Sequence, residues 1–270
     1  MEPYLRLVAD VLENGIRKEN RTGVDTISSF AESYRVDLKD GYPLLTTKKV
    51  LFRSVILELL WYLRGEGHIR WLRDENNCHI WDAWAQEDGE VGPIYPVLWR
   101  RFPYAAREGD QWVQKEFDQV QNAIDLLKTD PMSRRIVVSA WHPALLPEMA
   151  LPPCHLMYIF NVSGGRLHCH LTQRSGDIAL GIPFNLACYA ALTMAIAKEV
   201  GLEPGVFAHT IVDAHIYVNH VEGLREQLTR EPRPLPTLKI ADKPLDALTF
   251  EDFVLDGYDP HPAIRFEVAV

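Results

Sequence analysis

A single α+β domain is the fold class this sequence predicts, and three observations carry the prediction. Strand-like runs (Thr26 to Val36, Arg135 to Trp141, Tyr158 to Val162, Leu167 to Thr172) share one chain with helical segments. Two of those helical segments, Phe52 to Leu63 and Leu186 to Val200, are apolar nearly all round, as helices buried in a core are. No repeat, low-complexity tract or linker divides residues 1–270.

In chain order, Leu5, Val8, Leu12 and Ile16 recur at helical spacing, so a first amphipathic helix is expected to run to about Lys18–Asn20. Arg21-Thr22-Gly23 is a turn with an arginine at its entrance. Glu58 sits in the middle of the apolar Phe52 to Leu63 helix, where a carboxylate is costly unless paired or functional. Arg53 is the nearby arginine that a purely structural pairing would use. Residues 71–103 are rich in rings (Trp71, Trp81, Trp84, Tyr95, Trp99, Phe102), which suits either a second core or a wall for a flat ligand. Residues 104–115 are polar and expected to be loop. Val120 to Leu127 reads as helix, stopped by Thr129-Asp130-Pro131. Gly164-Gly165 marks the turn of a hairpin. Ile211-Val212 is expected to end a strand, and the tail beyond Pro262 to form a short strand to Val270.

Composition narrows the function classes. Apolar residues make up 47% and charged residues 24%, the balance of a soluble globular chain. The net charge of −9 argues against a nucleic-acid surface, so an anionic ligand must be held by a local arginine cluster. Cys78, Cys154, Cys169 and Cys188 include no CxxC pair, which suits free thiols in a reducing compartment. The acid-bearing N-terminal stretch does not read as a signal peptide, no apolar run spans a bilayer, and a cytoplasmic location is expected.

The chemistry centres on Leu151-Pro152-Pro153-Cys154-His155. Two prolines remove backbone freedom just before one thiol, an arrangement that serves a nucleophile aimed in one direction. A packed, inert cysteine is the plain alternative. Arg21, Arg134-Arg135 and Arg174-Ser175 lie at element ends, where guanidinium forks and a hydroxyl can hold phosphate; surface salt bridges are their plain alternative. His168-Cys169-His170 has a zinc-like spacing but lacks a third ligand, so cross-strand packing is the expected role. Asn185, entering a buried helix, offers a donor and an acceptor to a ligand edge, or serves as a helix cap.

Together LPPCH (151–155), QRSGD (173–177), LGIPFN (180–185), DAHIYVNH (213–220), REPRPLP (230–236), YDPHPAI (258–264), IWDAW (80–84) and SRRI (133–136) resemble the folate-dependent thymidylate synthase family over nearly the whole chain. The resemblance implies one domain over residues 1–270, a large bent mixed sheet with packed helices, and a homodimer. It implies reductive methylation of dUMP with 5,10-methylenetetrahydrofolate as co-substrate and no metal. Its implied catalytic set is Cys154, Glu58, Arg174, Tyr95, Asn185 and His155, with Cys154 adding to C6 and Arg174 lowering the thiol pKa. For dUMP it implies Arg21, Arg174, Ser175, Asp177, Asn185, His215 and Tyr217, with Arg134 and Arg135 from the partner subunit. For folate it implies Trp81, Trp84, Asp177, Gly181 and the C-terminal Ala269. A pyrimidine-nucleotide 5-hydroxymethylase, in which water completes the reaction, is the alternative within the same chemistry; a silent nucleotide- or RNA-binding relative is one outside it. The chain departs from the usual family pattern at Pro96, Leu98, Gly176, Leu51 and Glu267, none of which is the nucleophile or the base-reading asparagine.

Overall fold

In a computed structural model, residues 1–268 are described. They form one mixed six-stranded sheet, two small two-stranded sheets and six α-helices. The large sheet has the order β1-β2-β8-β7-β6-β5, built from β1 (Ile16–Lys18), β2 (Thr26–Asp37), β5 (Val137–Ser139), β6 (His155–Ser163), β7 (Arg166–Asp177) and β8 (Glu203–Tyr217). Every neighbouring pair is antiparallel except β7 and β8, which run parallel at the centre. Parallel neighbours need a crossover, and α5 (Gly181–Glu199) supplies it.

Side chains alternate across a strand. In β7, Leu167, Cys169, Leu171 and Gln173 are buried while His168, His170 and Thr172 are half-buried. The buried face lies under α5, whose residues are apolar on all sides, and beside α2 (Phe52–Arg64). Trp61, Tyr62, Tyr95, Trp99, Tyr158 and Tyr189 pack edge-to-face or tilted beneath this layer, and Tyr189 stacks on Phe207. Most of the ring-rich 71–103 segment is therefore core, and only part of it is free to be a wall. The β6–β7 turn uses Gly164 and Gly165 at φ 58° and 73°, the left-handed pair that a two-residue hairpin requires.

The pairing also opens at the level of Val212. Phe30 pairs with Asp213 and Glu32 with Ile211, which leaves Ala31 opposite Val212. On the other side Gln173 pairs with Ile211 and Ser175 with Asp213, leaving Arg174 opposite the same Val212. Ala31 takes φ 61°, a conformation that bends the strand and is rarely adopted by a residue with a Cβ. The bend falls beside Arg174, so it also shapes the site.

Four expectations change. The first helix, α1 (Glu2–Asn14), stops short of Ile16, because Gly15 turns extended (φ −68°, ψ 152°) and the chain enters β1, where Ile16 is 71% exposed. Residues 104–115 are not a loop but lie within a hairpin, β3 (Phe102–Glu108) and β4 (Gln111–Phe117), that keeps both faces largely in solvent. Ile211-Val212 lies inside the 15-residue β8 rather than at its end. The tail forms no strand over 257–268; its last two residues, including Ala269, lie outside the described residues. The remaining elements are α3 (Tyr95–Arg100), α4 (Gln119–Thr129), α6 (Val221–Leu228) and a small sheet of β9 (Thr237–Ile240) with β10 (Phe253–Asp256). No helix among the described residues is long and apolar enough to cross a membrane.

Candidate active site

Cys154 is the residue just before β6 and the least buried of the four free cysteines. The prolines before it leave their carbonyls free to accept, and Arg174 uses both: Nε donates to Pro153 O at 2.9 Å and Nη2 to Pro152 O at 2.7 Å. The Arg174 amide donates to Cys154 O at 2.8 Å, so backbone and side chain lock the two segments together. Nη2 also stands 3.6 Å from Cys154 Sγ. Nη1 makes no hydrogen bond among the described residues, which leaves half of the guanidinium fork open for an anion.

Tyr95, at the start of α3, meets Cys154 from the other side. Its hydroxyl accepts the Cys154 amide at 2.7 Å and the His155 amide at 3.4 Å, and its ring lies 4.8 Å from that of His155. His155 is buried and held neutral: burial pulls its pKa down to about 4. Pro96 and Leu98 are fully accommodated here. Pro96 occupies the first turn of α3, where a missing N–H costs nothing, and Leu98 is completely buried.

Burial pushes the Cys154 thiol above its ordinary value, and Arg174 and Arg21 pull it back only in part. Arg174 does lower the thiol pKa, as expected, but in the unliganded chain desolvation is the larger effect. Alkylation of Cys154 should accordingly accelerate with pH through the ordinary thiol range without levelling off, and Arg174→Met should slow it at every pH below that range. Peptide-resolved iodoacetamide kinetics check both; a plateau near neutral pH would contradict them.

Glu58 comes from α2 and reaches this cluster through Trp81, whose ring lies 6.0 Å from that of Tyr95. It is buried, and it accepts from Trp81 Nε1 at 2.8 Å rather than pairing with Arg53, whose Nη1 instead reaches Asn76 O. Burial raises its pKa from 4.5 to about 7, while hydrogen bonds from Trp81 and Tyr62 pull the other way. A carboxyl poised near neutrality can both give and take a proton. Trp81 is buried and Trp84, at 5.5 Å in a T-shaped pair, is half-buried, so Trp84 offers the accessible ring of the two.

Asn185 is not a helix cap. Leu180 holds that position, and Asn185 lies one turn inside α5, buried, with Oδ1 accepting from Gln173 Nε2 at 3.1 Å. Asp177 does the capping work at this turn, accepting from the Ala179 and Leu180 amides at 2.8 and 3.3 Å. Gly181, the first residue of α5, sits between Asp177 and Asn185, a Cβ there falling 3.9 and 3.7 Å from them. Ser175 Oγ and His215 Nδ1 are 3.4 Å apart on the paired strands β7 and β8, and Tyr217 stands edge-on to His215 at 5.3 Å. Arg21 lies in an exposed turn near enough to act on the charge of both Cys154 and Tyr217.

Arg134 and Arg135 are not brought to this cluster. They are exposed ahead of β5, with no side-chain partner among the described residues. His168 and His170 make hydrogen bonds instead of a metal centre: His168 with Ser163 Oγ and the Val206 amide, His170 with Thr210 Oγ1. No group of three His, Cys, Asp or Glu among the described residues is placed to hold a metal.

Three nearby residues were not singled out from sequence. Gln173 touches Asn185 directly. Its sequence signal is its place in QRSGD, next to Arg174 and Ser175. Tyr62 helps hold Glu58 and is indistinguishable in sequence from its apolar helix neighbours. Lys48 is a buried cation that donates to Ala179 O and lies 4.5 Å over the Phe266 ring, with burial lowering its pKa to about 8. Its position beside Asp177 ties the start of α5 to the tail.

Gly176 has a local reason. An added Cβ would stand 2.6 Å from Ile182 Cδ1 and 3.1 Å from Ile211 Cγ2, so these two isoleucines fill the space a larger residue would use. Gly176→Ala should cost about 1–3 kcal/mol by overpacking. Adding Ile182→Val, which removes the Cδ1 methyl, should recover most of it. Denaturant unfolding of the single and double variants tests this; a fully additive double variant would refute the steric account.

A thiol held beside a guanidinium, a carboxyl that burial brings near neutrality beneath an indole and a buried amide just inside a helix are groups of the kind an enzyme site assembles. The sequence model of one family, described as thymidylate synthase, matches residues 2–270, and the chain belongs to the thymidylate synthase family. Membership makes it a transferase-type enzyme of nucleotide biosynthesis whose chemistry is pyrimidine methylation or hydroxymethylation, in a family that binds dUMP and uses a folate co-substrate.

Proposed function

We propose that this chain converts dUMP and 5,10-methylenetetrahydrofolate to dTMP and dihydrofolate through a covalent bond between Cys154 Sγ and C6 of the uracil. The observation that carries the reading is the clamp itself: Arg174 fixes the Pro152-Pro153 carbonyls, stands 3.6 Å from the thiol and keeps Nη1 free for a phosphate oxygen. One side chain thus aligns the nucleophile with the anion of its substrate.

Cys154 gives up its proton and attacks C6, which makes C5 nucleophilic. The folate co-substrate supplies, when bound, a one-carbon unit to C5 and then a hydride to that carbon; loss of the hydride leaves the folate as dihydrofolate, and its arrival restores the C5–C6 double bond and expels the Cys154 thiolate. Asn185 reads the N3–H and O4 edge. Glu58 moves protons toward O4 and the folate through ordered water, and Tyr95, against Cys154, stands near the C5 proton that must leave. Ser175, Arg21 and Arg174 hold phosphate, while His215 and Tyr217 take the sugar hydroxyl. Trp81, Trp84, Asp177 and Gly181 line the folate side, with the tail closing over it to keep water from the reactive carbon. The cytoplasm is the compartment in which such free thiols persist.

The enzyme works as a homodimer in which Arg134 and Arg135 reach the partner's phosphate site. Their exposure without partners supports this, as does the uncovered β2, where Phe30 is 82% exposed. Mixing inactive Cys154→Ser with inactive Arg134→Ala/Arg135→Ala protein should restore part of the activity once subunits exchange. Heterodimers verified by mass that stay inactive would count against shared sites. The reaction is tested by incubating protein with both substrates, following dihydrofolate by absorbance and the nucleotide by mass. Equal amounts of dTMP and dihydrofolate are expected; a 5-hydroxymethyl nucleotide with tetrahydrofolate released would assign the other chemistry of the family.

A further inference from the structure

Behind Asn185 a chain of buried polar groups continues into the protein. Gln173 Nε2 donates to Asn185 Oδ1 at 3.1 Å and to Ser175 O at 2.9 Å. Gln173 Oε1 meets His209 Nε2 at 2.9 Å, and His209 Nδ1 meets the Tyr34 hydroxyl at 2.9 Å. Tyr34 and His209 are cross-strand partners on β2 and β8, and their rings pack edge to face at 5.3 Å. His209, Gln173, Asn185 and Tyr34 are all buried.

We propose that Tyr34 and His209 lock the orientation of the Gln173 amide and, through it, of the Asn185 amide, so that His209 is a positioning residue for reading uracil against cytosine. The inference rests on the assignment of Asn185 as the base-reading residue.

The direction of each hydrogen bond follows from what each group can do. Ser175 O only accepts, so the Gln173 nitrogen faces it and Oε1 faces His209. Nε2 of His209 must then carry a hydrogen. Burial pulls the His209 pKa well below the ordinary value, so the ring is neutral and Nδ1 holds a lone pair. Tyr34 donates to that lone pair, the only arrangement in which every buried group is satisfied. At the other end, Gln173 occupies one lone pair of Asn185 Oδ1. The second is left for the N3–H of uracil, with Nδ2 donating to O4. A rotated Asn185 amide would offer a donor to N3 and an acceptor to an exocyclic amine, the pattern of cytosine. Rotation would also set Nδ2 against the Gln173 N–H, two donors face to face in a buried place, which is costly. The register of these amides is therefore held from β2, on the far side of β8.

The test compares wild type, Tyr34→Phe, His209→Leu and His209→Gln by calorimetric binding of dUMP and dCMP, alongside the 15N shifts of the His209 ring in the unliganded protein. Wild type should show a neutral ring protonated at Nε2. Tyr34→Phe should lower the dUMP-over-dCMP preference by about tenfold, and His209→Leu by more. His209→Gln, which can still place an N–H against Gln173 Oε1, should recover most of the preference. A ring protonated at Nδ1 in wild type, or an unchanged preference in folded Tyr34→Phe, would overturn the proposal; if His209→Leu does not fold, Tyr34→Phe decides. Wild type that binds neither nucleotide would refute the function reading instead, while the ring shifts would still decide the lock.

Discussion

Cys154→Ser is expected to lower turnover by more than about 10³-fold while dUMP binding stays within a few-fold of wild type. The hydroxyl is a far poorer nucleophile than the thiol, yet it is nearly isosteric and disturbs none of the Arg174 contacts to Pro152 and Pro153. The two measurements must be read together. Loss of turnover with loss of binding would mean the clamp had collapsed, not that the nucleophile had gone. Turnover near wild type with intact binding would remove Cys154 from the chemistry, because Cys78, Cys169 and Cys188 are all buried elsewhere.

Glu58→Gln is expected to trade activity for stability. Loss of its proton-transfer role should slow turnover by about 10²–10⁴-fold. Its raised pKa has the opposite consequence for folding. Between pH 4.5 and about 7 the folded chain holds a proton that the unfolded chain has released, so stability falls as pH rises through that window. Above it, the ionised Glu58 costs about 3 kcal/mol relative to a neutral side chain of the same shape. Glu58→Gln should therefore melt several degrees higher than wild type at pH 8 and close to wild type at pH 4.5. Melting curves at the two pH values check it; a difference that does not change with pH would show that Glu58 is not held near neutrality by burial.

Much of this site was legible because its motifs are local. The Pro-Pro-Cys shoulder, the QRSGD strand end and the LGIPFN helix entrance each carry their chemistry within five or six residues. Glu58 was visible as a carboxylate in an apolar helix, but its partner was not: Trp81 is 23 residues away and Arg53 looked closer. The β3–β4 hairpin was missed because both strands keep most residues in solvent, Trp112 at 73% exposure among them, so no apolar alternation marks them. The first helix was overextended because Ile16 continues the helical spacing past Gly15, where the backbone has already turned extended. The Tyr34–His209 pair joins residues 175 apart and depends on strand register, which local pattern does not contain. Likewise the upward shift of the Cys154 thiol is a matter of burial; the sequence displays the neighbouring arginine but not the desolvation that outweighs it.

The most direct test of the central assignment is a trapped adduct. With fluorine in place of the C5 hydrogen there is no C5 proton to lose, so tetrahydrofolate cannot be eliminated from the methylene bridge, and the bond from Sγ to C6 should persist. Protein incubated with 5-fluoro-dUMP and methylenetetrahydrofolate should gain the mass of both molecules, and peptide mapping should place them on Cys154. An unmodified protein under conditions where dUMP binds, or an adduct on any other cysteine, would contradict the account.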